Sequence, residues 1–166
     1  MHFEATINYP ATVPASAAML ADEGFLQRRL AAAGASESRI DVARDGDAFT
    51  VSMATRLPTD DVPASFRSFV GASLEVRIVE AWEAPLATGE RRGTIAVDIA
   101  GAPVAVSGHM RLVTDGAGAR HDVRGEVRAS VPLFGRAIEE AASSAVQSVL
   151  TGQERVAREH LADSAG

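Results

Sequence analysis

No part of this chain limits its possible folds as much as the stretch from about Phe134 to Leu161. Ile138, Ala142, Ala145, Val149, Gly152 and Val156 recur there at spacings of three and four, which places them on one face of a long helix. A helix of that reach, about 28 residues and 40 Å, is long enough to cover one face of a sheet.

What precedes it supplies the sheet. His2 to Tyr9 puts Phe3, Ala5, Ile7 and Tyr9 on one side and polar groups on the other, the alternation of a half-buried strand. Pro10 ends it. Thr12 and Asp22 are placed to cap two short helices carrying Met19, Leu20, Phe25, Leu26 and Leu30, with Gly34 as the stop. From Glu37 to Val131 the period is two. Asp45-Gly46 tolerates the backbone of a tight hairpin between Arg39–Arg44 and Ala48–Leu57. Strands follow at Leu74–Glu83, Thr94–Ala100, Val104–Val113 and Ala119–Val131, with turns at Gly101-Ala102-Pro103 and Asp115 to Gly118. Alternation of this kind means one wet face and one dry face, hence an antiparallel sheet.

Composition narrows the function classes. A net charge of −6 with no cluster of arginines argues against nucleic acid or an anionic membrane surface as partner. All 16 basic residues are arginine, which we read as codon bias. Without cysteine there is no disulfide, thiolate nucleophile or cysteine-bound zinc. No apolar run approaches the ~20 residues of a membrane span, and Met1 to Tyr9 lacks the pattern of a secretory signal, so a soluble cytoplasmic protein is expected. At 166 residues one domain spanning 1–166 is the expectation. The chain gives no sign of its oligomeric state.

Strand, two short helices, six strands and one long helix is an order that resembles the helix-grip fold of the START and Bet v 1-like superfamily, which includes polyketide cyclases and lipid-transfer proteins. Tyr9-Pro10-Ala11 through Ser16, then Met19-Leu20-Ala21-Asp22 and Phe25, is similar to that superfamily's entry of strand, Pro-Ala, helix, Leu-x-Asp and x-x-Phe. Within it the chain looks most like an actinobacterial family for which the likeness implies a fold and no assigned activity. The fold implied is α+β: a seven-stranded curved antiparallel sheet wrapped around the C-terminal helix, with two short helices after the first strand. The resemblance further implies a cavity for a small hydrophobic or amphipathic ligand, and no cofactor.

Met53, Thr55, Val76, Ile78, Glu80, Trp82, Ile95, Val97, Val106, Met110, Ala145 and Val149 are the expected lining. Small residues on the helix, from Ala141 to Gly152, leave two outcomes: a void, or a close approach of helix to sheet. Glu80 shares parity with Val76 and Ile78. We expect a register shift near Trp82 to leave it at the rim in solvent; the alternative puts its carboxylate inside, as a ligand anchor or an acid/base group assisted by Thr55 or Tyr9. His109 should face water. His121-Asp122 are strand neighbours that point to opposite faces and so form no catalytic pair. His2, His109, His121 and His160 lack metal-ligand spacing, and Asp60-Asp61 and Glu139-Glu140 lack a third ligand. A third use of the fold, protein docking, would need Phe66 and Phe69 exposed on the Pro58–Gly71 segment.

Overall fold

The fold is described by a computed structural model for residues 1–60 and 62–166, excepting the side chain of Phe69. Asp61, and Phe69 as a surface side chain, therefore lie outside the described residues. In chain order the elements are β1 (His2–Tyr9), α1 (Val13–Leu20), α2 (Glu23–Ala32), β2 (Ser36–Asp45), β3 (Ala48–Pro58), α3 (Ala64–Val70), β4 (Ser73–Trp82), β5 (Arg91–Ile99), β6 (Val104–Asp115), β7 (Gly118–Ala129) and α4 (Gly135–Ser164). The strands form one curved sheet in the order β1-β7-β6-β5-β4-β3-β2, antiparallel at every junction.

Local chemistry sets the boundaries. Thr12 caps α1 by accepting from the Ala15 amide, and Asp22 caps α2 by accepting from Phe25 N at 2.9 Å. Each cap satisfies an amide that the first helical turn leaves unpaired. The β2–β3 hairpin closes Asp45 onto Ala48 through Gly46 at φ 59°, a conformation a side chain would oppose. Thr55 ties the irregular start of β2: its hydroxyl donates to Ser36 O at 3.1 Å and meets the Ser38 hydroxyl at 2.7 Å, beside the register shift between Ser36 and Arg39.

Register stacks the inward residues into rows across the sheet. One row runs Met53, Ile78, Val97, Val106, Val127; the next runs Val51, Glu80, Ile95, Gly108, Gly125, Phe3; a third runs Phe49, Trp82, Gly93, Met110, Val123. Most of these side chains are buried, whereas Ile78 and Val97, and Ile99 opposite Val76 in the adjoining row, remain half-buried.

The long helix meets only part of this surface closely. α4 packs along β1 and β7 and against α2. Gln153 Nε2 donates to the Tyr9 hydroxyl at 2.6 Å, and the Asn8 amide donates to Glu154 at 3.1 Å. The helix is held to the β1 edge through the long side chains of Gln153 and Glu154, while Ser144, Ala145 and Ser148 are exposed and a Cβ at Gly152 would meet nothing within 4 Å. The buried face consists of Ser143, Leu150, Gln153, Val156 and Ala157, which is rotated by about a quarter turn from the stripe expected from spacing. Ala145 is therefore exposed and Val149 is 42% exposed, a correction to both as interior residues. The physical reason is that Ser143 and Gln153 find buried places that a hydrophobicity pattern assigns to larger apolar residues. Among the described residues no helix is long and apolar enough to cross a membrane.

Candidate functional site

Six side chains from five elements and both ends of the chain meet beneath α2 and the C-terminal half of α4. They are Tyr9 on β1, Arg29 on α2, Glu80 and Trp82 on β4, His121 on β7 and Gln153 on α4, none more than 7% exposed. Burial of so many polar groups is costly unless they satisfy one another.

Glu80 is 2% exposed, so the rim position expected for it is corrected. No register shift occurs near Trp82: β4 pairs in step from Ser73 to Trp82, and Glu80 keeps the inward parity of Val76 and Ile78. Its carboxylate is gripped by the Arg29 guanidinium, with Nη2 on Oε1 and Nη1 on Oε2 at 3.3 Å. Burial alone would push the carboxyl up, but Arg29 outweighs it and holds the pKa below the usual value. Glu80 is thus a permanent carboxylate, unable to supply a proton at neutral pH. Arg29 in turn is held charged by Glu80 against its own burial.

Beside this pair runs a neutral chain. The Tyr9 hydroxyl meets His121 Nδ1 at 3.0 Å and receives a hydrogen bond from Gln153. Burial pushes the Tyr9 phenol well up and the His121 imidazole down to about 4, so both are uncharged at neutral pH. Gln153 donates to the Tyr9 oxygen, and the Tyr9 hydroxyl shares a hydrogen bond with His121 Nδ1 in which the imidazole tautomer sets the donor. Trp82 tilts against His121 with ring centroids 5.2 Å apart. Gly93 makes that placement possible, since a Cβ there would lie 3.1 Å from the indole and 2.6 Å from Ala81 O. Three buried atoms of the cluster have no partner among the described residues: Trp82 Nε1, His121 Nε2 and Gln153 Oε1.

A cleft of about 60 Å³ between α2 and α4 is lined by Arg29, Ala32, Ser148, Val149, Gly152 and Gln153. It reaches the cluster at two of its members. A larger depression, about 620 Å³, lies on the opposite face of the sheet over Val79, Thr94, Ala96, Ser107 and His109, and belongs to no part of this site.

Of the expected lining, Met53, Val76, Ile95, Val106 and Met110 are buried on the inward face, with Ile78 and Val97 half-buried beside them. Thr55 is buried with its hydroxyl engaged by β2. Val149 borders the cleft from its exposed position. Arg29, His121 and Gln153 were missed as site residues, although each leaves a trace. Arg29 follows Phe25 and Leu26 at spacings of four and three, in the apolar stripe of α2. His121 shares the parity of Val123 and Val127. Gln153 precedes Val156 and Ala157 by three and four. His109 is exposed, as its parity suggests. Phe66 packs edge-on against Phe134, ring centroids 6.2 Å apart. Among the described residues no group of three or more His, Cys, Asp or Glu is placed to hold a metal.

The same architecture occurs in known structures. A Thermus thermophilus protein, TTHA0849, superposes with a TM-score of 0.61 at 16% identity, covering 96% of this chain and 99% of its own. A STAR-related lipid transfer protein fragment from Xanthomonas axonopodis gives 0.55 at 12% identity, covering 92% and 85%. A START superfamily protein from Mycobacterium smegmatis gives 0.51 at 13% identity, covering 93% and 97%. Identities this low establish a shared START-like helix-grip fold. No curated protein matches the sequence. A family model described as "Protein of unknown function (DUF2505)" matches residues 4–161.

Proposed function

The chain belongs to the DUF2505 family, and we propose that it acts as one helix-grip domain, residues 1–166, that binds or carries a small hydrophobic or amphipathic ligand, lipid-like or polyketide-like, between the sheet and α4. The observation that carries this reading is the uneven seat of α4. It presses on β1, β7 and α2, while Ile78, Val97 and Ile99 on the inward face of β4 and β5 stay only half-buried. Apolar side chains left partly uncovered inside a curved sheet are the surface an apolar ligand would cover. Met53, Val76, Val106 and Met110 extend that surface.

The test uses Nile red, an uncharged apolar dye, and mass spectrometry of small molecules retained through native purification. Wild-type protein is expected to raise the dye's emission, and Ile78→Trp, which fills the uncovered surface, to abolish the rise while far-UV circular dichroism is unchanged. Absence of both dye uptake and any retained compound in the wild type would sink the proposal.

A second reading, acid–base chemistry on the bound ligand, is favoured by one contact, the Tyr9–His121 hydrogen bond. Glu80, tied to Arg29, is not its proton donor. Incubating the retained compound with fresh protein separates the two: a binder returns it unchanged, an enzyme converts it.

A further inference from the structure

An open sheet has two edges whose amides and carbonyls need partners, and here only one edge is covered. At β1 the helix α4 does so: the Asn8 amide donates to Glu154 at 3.1 Å, and Gln147 Nε2 donates to Glu4 O at 3.5 Å. Along Arg39–Asp45 of β2 no such cover exists among the described residues. From the geometry of that edge we infer that β2 pairs antiparallel with β2 of a second copy of this chain, about a two-fold axis at Val42.

The hairpin turn fixes which groups are free. Gly46-Asp47 is a two-residue loop, so Asp45 and Ala48 exchange hydrogen bonds and the pattern alternates from there. Ala43, Asp41 and Arg39 point N–H and C=O at β3, whereas Arg44, Val42 and Ile40 point theirs away. Carried across β3, the same alternation requires odd-numbered residues in and beside β4 to bond toward β5. They do: Glu83 N donates to Arg92 O at 2.9 Å, and Glu75 O accepts from Ala100 N at 2.8 Å.

The open segment is complementary to itself. Its regular pairing runs from Arg39, beside the register shift, to Asp45 at the turn, and Val42 is the midpoint. A two-fold there sets Val42 against Val42 and Ile40 against Arg44 of the other copy, so every free amide and carbonyl meets its complement. A centre at Ile40 would instead need Ser36 and Ser38, which the register shift displaces. On the outer face the axis at Val42 sets Arg39 against Asp45 at two places, and Asp41 against the small Ala43. Charges on an edge strand turn other strands away, but here opposite charges coincide. Arg39 and Asp45 are exposed, and neither has a counter-ion among the described residues. On the inner face Ile40 and Val42 are only half-buried, and pairing covers them further.

Pairing over this segment alone buries less than the ~1,600 Å² of a standard interface, so the dimer is a reversible one. Sedimentation velocity between about 1 and about 200 µM is expected to show monomer at the low end and dimer at the high end. Val42→Pro deletes the central amide, whose hydrogen faces away from β3. It should leave the far-UV circular dichroism unchanged and abolish the dimer. Arg39→Asp sets like charges together at both places and is expected to weaken association at least about tenfold, and adding Asp45→Arg to restore it. If Val42→Pro does not fold, the charge pair decides alone. Wild-type protein that stays monomeric throughout, folded Val42→Pro that dimerises like wild type, or Asp45→Arg that fails to restore what Arg39→Asp removes would each overturn the inference.

Discussion

Glu80 and Arg29 show how far one residue pair can shape an interior. Both lie buried, and among the described residues neither charge has another counter-ion at hydrogen-bond distance. The attraction between such charges roughly offsets what it costs to take them from water, so the pair adds little net stability, whereas removing one partner strands the other. Glu80→Leu is therefore expected to destabilise the fold by about 3–5 kcal/mol, and Arg29→Met with Glu80→Leu to regain most of that loss. Urea unfolding of the three proteins measures it. A single substitution costing less than about 1 kcal/mol would mean that the pair is solvated in solution.

At the scale of elements, α4 divides into unlike halves. Its C-terminal half is fastened from several sides: Leu150, Gln153, Val156 and Ala157 are buried, Arg28 of α2 pairs with Asp163 at 2.6 Å, and His160 lies 3.5 Å from Asp22. The N-terminal half carries Ala137, Ser144 and Ala145 in the open and buries only Ser143. Stability follows local burial, so this half should open first. Hydrogen exchange is expected to run at least about tenfold faster in peptides from 136–149 than in those from 150–161. Uniform protection along α4 would contradict the uneven seat on which the binding proposal rests.

Titration is a property of the whole molecule, because the cluster draws on five elements and exists only when all are docked. The His121 pKa falls from 6.5 to about 4 on folding, so between those limits the unfolded chain binds a proton that the native chain refuses. Stability therefore drops as pH falls through that window. Glu80, whose native pKa is depressed, contributes stability above its unfolded value of 4.5 and loses it as pH falls further. From pH 7 to about pH 5, wild-type protein should lose about 2 kcal/mol that His121→Gln does not lose. Equal losses in the two proteins would assign the titration to another group.

The nature and order of the elements were legible in the chain alone. Alternation at β3, β4, β6 and β7, caps at Thr12 and Asp22, and the hairpin at Asp45-Gly46 are local, and each records its own geometry within a few residues. Parity even placed Glu80 inward, had the alternation been trusted to the end of β4. How α4 is turned about its axis, and which side chains meet beneath it, came from packing. Periodicity reports the direction of a side chain relative to its own strand or helix. It carries no information on the rotation of one element against another, and that rotation brings Arg29 to Glu80 and Gln153 to Tyr9 across separations of 51 and 144 residues.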